Sequence, residues 1–169
     1  MIEFADFIHC TGGYPDKVEE HARNCPGCLW PPLQDEGTGV IRKKTIVSLK
    51  ETTKEQEDVS WKTVIVQYED QTFFGRLTRK SSFFNLDVVM KANKEDCEKY
   101  LIEASMVDAK TDKIIFKAIF PPRPLVKENN PGYCLLVPQE AMARVWKLTE
   151  NGKGYYFSQH IKITRNITI

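Results

Sequence analysis

VSWKTVIVQY (residues 59–68), the dipeptide Glu69-Asp70 and TFFGRLT (residues 72–78) decide the fold class. Val59, Trp61 and Thr63 recur at every second position, which puts them on one face of an extended strand. Val64, Ile65 and Val66 follow as a short continuous apolar run, the pattern of a strand covered on both faces. Glu69-Asp70 is polar and turn-like, and the next run is again aromatic and apolar. Strands separated by short polar turns build antiparallel sheets.

The same rhythm extends in both directions. Residues 41–49 form a candidate strand centred on Ile46 and Val47, and residues 51–58 are wholly polar and read as a loop. In FFNLDVVMK (83–91), Phe84, Leu86, Val88 and Met90 alternate with other side chains. Residues 99–107 and 113–118 flank 108–112, a natural hairpin connection, and residues 155–164 are a terminal strand. Only PQEAMARVWKLT (138–149) departs from this pattern. It begins with Pro, has Glu140 in its first turn, and places Ala141, Val145 and Leu148 at helical spacing with Met142 and Trp146 beside them. That spacing predicts a helix ended by Asn151-Gly152. The expectation is an all-β antiparallel β-sandwich of about seven or eight strands with one inserted helix.

The 169 residues suffice for one ordinary domain, or for one domain plus a small appendage. Twenty-four basic and 23 acidic residues give a net charge of +1, which favours neither nucleic acid nor an anionic membrane as a partner. No apolar run is long enough to span a bilayer, and no secretory leader pattern opens the chain, so the cytoplasm is expected, with the nucleus as an alternative. Asn166-Ile167-Thr168 is an N-x-T sequon of the kind that chance supplies.

Pro31-Pro32 divides the chain into residues 1–32, a linker at 33–39, and a sandwich at 40–169. Three of the five cysteines and two of the three histidines crowd into the first part. Cys10, His21, Cys25 and Cys28 can make a closed tetrahedral zinc site, with His9 as a substitute ligand. His21 and Cys25 share a face if residues 16–24 are helical, and Cys25-x2-Cys28 can present two thiolates from one turn. Such a structural Zn2+ would fold a head too small for a core of its own. The alternative is a degenerate finger with free thiols.

Catalytic constellations are weak. Cys134 and His160 are the Cys/His pair of the sandwich, but no orienting group or oxyanion hole accompanies them. Cys134 lies in apolar surroundings as an inert thiol would, and His160 alternates with aromatic and apolar residues on a strand. No phosphate loop or dinucleotide fingerprint is present. A binding module is expected, without a catalytic site.

Residues 39–163 resemble the C-terminal substrate-binding domain of the seven-in-absentia family of ubiquitin ligases. The resemblance is carried by Val59-Ser60-Trp61 after an acidic loop, and by TFFGRL at 72–77. It continues through Tyr100-Leu101-Ile102-Glu103, Pro121-Pro122-Arg123-Pro124, Cys134-Leu135-Leu136-Val137 before the helix, and Ile161-Lys162-Ile163 at the end. In the head, Cys10, His21 and Cys25 are similar to three ligands of the family's first zinc finger, and Cys25-Pro26-Gly27-Cys28 with Trp30 resembles the start of its second. Glu3 stands where that first finger's first cysteine would fall, the second finger's paired histidines are absent, and these 169 residues contain no RING.

The resemblance implies a TRAF-like sandwich that recruits substrates for ubiquitin-dependent degradation and forms a homodimer. A ubiquitin-conjugating enzyme would be a partner only through a RING outside this chain. It also implies a groove for a short extended peptide containing V-x-P, lined by Ile41, Val59, Trp61 and Thr63, in which the peptide adds a strand to an open sheet edge. Lys62 and Thr63 stand where the family has apolar residues. The alternative is a signalling scaffold of the same fold with no ubiquitin role.

Overall fold

A computed structural model describes residues 39–53, 58–61, 64–108, 110–125 and 132–167. Two sheets pack face to face. In the first, β1 (Val40–Ser48), β11 (Gly154–Arg165), β6 (Tyr100–Val107) and β7 (Ile114–Phe120) lie side by side, all antiparallel. The two-residue β10 (Lys147–Leu148) pairs with β11. In the second, β2 (Asp58–Ser60) and β3 (Val64–Tyr68) both pair with β4 (Gln71–Lys80), and β4 pairs with β5 (Phe83–Met90). On the far side of β5 lie β8 (Arg123–Pro124), which is parallel, and β9 (Leu135–Pro138). The described residues therefore form an all-β sandwich.

Local chemistry explains the hairpins. Glu69 and Asp70 both adopt positive φ (49° and 62°), as the central pair of a tight turn matched to the strand twist must. Between β6 and β7, Asp108 Oδ1 accepts the amide N–H of Lys110 at 2.9 Å, and Asp112 reaches φ 59°. Gly75 on β4 allows the sheets to approach, because a Cβ there would strike Ile161 of β11.

The inward rows form one core that includes Phe73, Leu77, Phe84, Leu86, Ile102, Met106, Phe157 and Ile161. One polar pair sits within it: Gln159 Nε2 donates to Thr45 Oγ1 at 2.9 Å. A buried amide without that partner would be costly, so the contact fixes β1 against β11. The opposite face of the second sheet also buries Ile65, Phe74 and Val89. Beside them Asp87 accepts from Arg76 at 2.7 Å and from Arg123 at 2.9 Å.

Three expectations are corrected. Residues 138–149 are not an α-helix; only Gln139–Arg144 form a 3-10 helix. Met142 and Val145 are buried as the spacing predicts, but Lys147–Leu148 pair with Tyr155–Tyr156 and Leu148 is exposed. The Trp146 ring stacks on Tyr155 at 4.5 Å, and strand pairing wins over a helix that β-branched and aromatic residues support poorly. Residues 59–68 make two strands rather than one, both on the same edge of β4. Lys94–Cys97 form a single helical turn where none was expected, capped by Asn93 Oδ1, which accepts the Asp96 N–H at 2.8 Å.

The sheets are aligned so that β4 lies over β11, β5 over β6 and β7 over β9. This places β1 on the same long side of the sandwich as β2 and β3, and Gly39 indeed abuts Tyr68 at the end of β3.

Candidate peptide-docking edge

Alternation along β1 separates two rows. Ile41, Thr45 and Val47 are buried, while Arg42, Lys44 and Ile46 are exposed. Its backbone alternates as well. Ile163 N–H donates to Gly39 O at 2.7 Å, and Leu49 N–H donates to Lys153 O at 3.1 Å. Both pairs fall on odd-numbered residues of the β1–β11 register, so 41, 43, 45 and 47 also face β11 with their amides. The even-numbered residues Val40, Arg42, Lys44 and Ile46 therefore direct N–H and C=O away from β11. Among the described residues no strand lies beside them. The edge ends at Ser48, whose N–H donates to Glu51 Oε1 at 2.8 Å while its Oγ accepts the Glu51 N–H at 3.3 Å. The 3-10 turn Lys50–Thr52 thus closes one end of a strand whose outer side no other described strand covers.

Ile41, Val59 and Trp61 lie along the seam between the sheets on this same side. Ile41 faces inward from β1 and is 6% exposed; Val59 faces inward from β2 and is 8% exposed. Trp61 directly follows β2, donates its backbone N–H to Leu77 O at 3.0 Å, and is half-buried. Its ring stacks on Phe84 at 5.6 Å, Phe84 meets Trp146 edge-on at 5.7 Å, and Trp146 stacks on Tyr155. This aromatic chain holds the indole against the core, and Trp61 Nε1 finds no acceptor among the described residues. Thr63, the fourth expected groove residue, lies outside the described residues.

On the outward side, Lys44 Nζ sits 4.5 Å from the centroid of the Tyr156 ring. Lys44, Ile46, Ser48, Asn151 and Tyr156 line an open depression beside the free edge. Sequence reasoning singled out none of Arg42, Lys44 and Ile46 as site residues. The signal available was their alternation with Ile41, Thr45 and Val47.

The remaining expected residues fall elsewhere. Cys10, His21, Cys25 and Cys28 lie outside the described residues; among those described, no three His, Cys, Asp or Glu side chains cluster as a metal site would. His160 sits on the outward face of β11 opposite Arg42, whereas Cys134 precedes β9 in the other sheet. Burial holds the His160 imidazole below the usual histidine range; Arg42 adds to this and Asp112 opposes it. Burial, then Asp87, pushes the Cys134 thiol up, and Arg123 opposes. Cys97, the buried last residue of the Lys94–Cys97 turn, is pushed up to about 11, first by burial and then by Asp96 and Glu98. Among the described residues no helix is long and apolar enough to cross a membrane.

No protein-family model matches the chain, and no curated protein does so either.

Proposed function

We propose that this chain is the substrate-recognition module of a seven-in-absentia-like ubiquitin ligase, or of an adaptor without a RING, with a TRAF-like sandwich that takes a short extended peptide by strand addition. One observation carries the reading. β1 is an edge strand with the main-chain groups of four alternate residues, Val40, Arg42, Lys44 and Ile46, turned outward beside a seam containing Ile41, Val59 and Trp61. An added strand continues the hydrogen-bond ladder, and its inward side chains meet the seam, where the rigid Trp61 ring offers the largest apolar surface. In this reading Thr63 completes the groove. The head contributes Cys10, His21, Cys25 and Cys28 as ligands of a structural zinc, three thiolates and an imidazole being a donor set that suits that ion. Self-association would bring two grooves together and raise avidity for substrates that carry repeated motifs.

The test joins binding to outcome. Fluorescence anisotropy with labelled extended peptides should give saturable binding to the full chain. The strongest binder, fused to a reporter, should shorten the reporter's half-life in cells expressing the chain, and proteasome inhibition should restore it. Binding with an unchanged half-life would favour a scaffold over a degradation adaptor. Failure of every extended peptide to bind would remove the strand-addition reading.

A further inference from the structure

We infer that the partner peptide at the β1 edge is acidic, with two carboxylate side chains spaced two residues apart that face Arg42 and Lys44, and an apolar side chain facing Ile46. This rests on the strand-addition reading above and adds the chemistry of the occupant.

The spacing follows from the backbone. The amides that no described residue pairs belong to even-numbered residues, so an incoming strand exchanges hydrogen bonds with Arg42, Lys44 and Ile46 themselves. The peptide residues opposite them therefore sit in direct cross-strand pairs, two positions apart, with side chains on the same outward face. Direct partners have Cβ atoms about 4.5–5.5 Å apart, close enough for ion pairing. Running antiparallel to β1, the peptide reads apolar-x-acid-x-acid. The apolar residue lies over Ile46, which is 61% exposed, and the x positions turn inward to the seam that holds Trp61 and Val59.

The charge of the edge selects the same occupant. Arg42, Lys43 and Lys44 are consecutive on β1, whereas Lys162 on β11, across from Val40, has Glu103 directly opposite it on β6. Among the described residues, Glu51 holds the Ser48 N–H, Glu103 lies 3.8 Å from Lys117, and Glu150 lines the depression beside Lys44 and Ile46, leaving Arg42 and Lys44 with no ion pair to a described carboxylate. A second copy of β1 is a poor occupant. Paired antiparallel about Lys43, it would set Arg42 against Lys44 and Lys43 against Lys43. Like charges directly opposite repel, so the cations disfavour self-pairing in this register while they attract an acidic strand.

The experiment uses the full chain and three labelled peptides that share the core Leu-Val-X-Val-X, with X as Asp, Asn or Lys. Two favourable cross-strand ion pairs predict that the Asp peptide binds roughly tenfold more tightly than the Asn peptide at low salt. That advantage should shrink between about 50 and 200 mM salt as screening grows. The double substitution Arg42→Glu/Lys44→Glu, at two exposed positions, should leave the melting temperature nearly unchanged and reverse the order so that the Lys peptide binds best. If that variant fails to fold, Arg42→Gln/Lys44→Gln should instead abolish the preference. Equal binding of the Asp and Asn peptides, or an unchanged order in the charge-reversed chain, would overturn the acidic preference and leave strand addition standing. No binding by any of the three would overturn both.

Discussion

Proline placed at adjacent positions of β1 separates the two edges of one strand. Ile46 turns its N–H to the open side, and its side chain is 61% exposed. Ile46→Pro therefore removes no ladder bond to β11, and its cost should stay within about 1 kcal/mol, a shift of under about 4 °C for a chain of this size. Thr45→Pro is different. It deletes a ladder bond to β11, worth about 1 kcal/mol, and removes the Oγ1 that accepts from Gln159 Nε2. Gln159 is 2% exposed, so its stranded amide costs a further 1–3 kcal/mol or so. The sum predicts a fall in melting temperature of roughly 5–15 °C. Peptide binding should respond in a way that stability does not. Ile46→Pro removes the β1 N–H that would donate to the added strand and puts a ring in its path, so affinity should drop at least about fivefold relative to Ile46→Ala, the control for lost apolar contact. Thermal melts and anisotropy titrations read both effects. Equal destabilisation by the two prolines would refute the assignment of alternate amides. Ile46→Pro binding as well as Ile46→Ala would refute strand addition at β1.

Metal analysis of the purified chain should find zinc, and Cys25→Ser should release it while the sandwich melts at an unchanged temperature; absence of zinc from a folded chain would rule out the proposed site. NMR titration of His160 should give a midpoint below the ordinary value of about 6.5. The folded state favours the neutral ring, so the unfolded chain takes up the proton first. Stability from this group is present above about pH 6.5 and declines as pH falls toward the lower folded midpoint. Arg42→Glu should raise that midpoint, and an unmoved midpoint would show that Arg42 does not act on the ring. Cys97, with its thiol pushed up to about 11, should resist alkylation at about pH 8 until the chain unfolds, while Cys134 reacts sooner. Mass mapping after a short alkylation pulse decides the order.

Features set by neighbouring residues were legible in the sequence. The alternation of Phe84, Leu86, Val88 and Met90 gives their inward row directly, and Glu69-Asp70 marks the turn between β3 and β4. The segment after Pro138 was misread because spacings of three and four residues suit a 3-10 helix as well as an α-helix. The deciding contact, Trp146 on Tyr155, joins it to a later strand. Period two likewise puts Val59 and Trp61 on one face without saying what lies opposite. The aromatic chain through Phe84, Trp146 and Tyr155, which holds Trp61 to the core, is visible only in three dimensions. The edge position of β1 was hidden for the same reason. Its partner is the last strand, and a local pattern carries no record of which side of a strand is left unpaired.

Amide hydrogen exchange along β1, measured by NMR with and without a saturating peptide, reports residue by residue whether a strand adds there. With strand addition at β1, the exposed-edge amides of Val40, Arg42, Lys44 and Ile46 exchange quickly in the free chain and become protected on binding. Those of Ile41, Lys43, Thr45 and Val47, already bonded to β11, should be slow in both states. Protection appearing elsewhere, with the even-numbered amides of β1 still exchanging at their free rates, would contradict it.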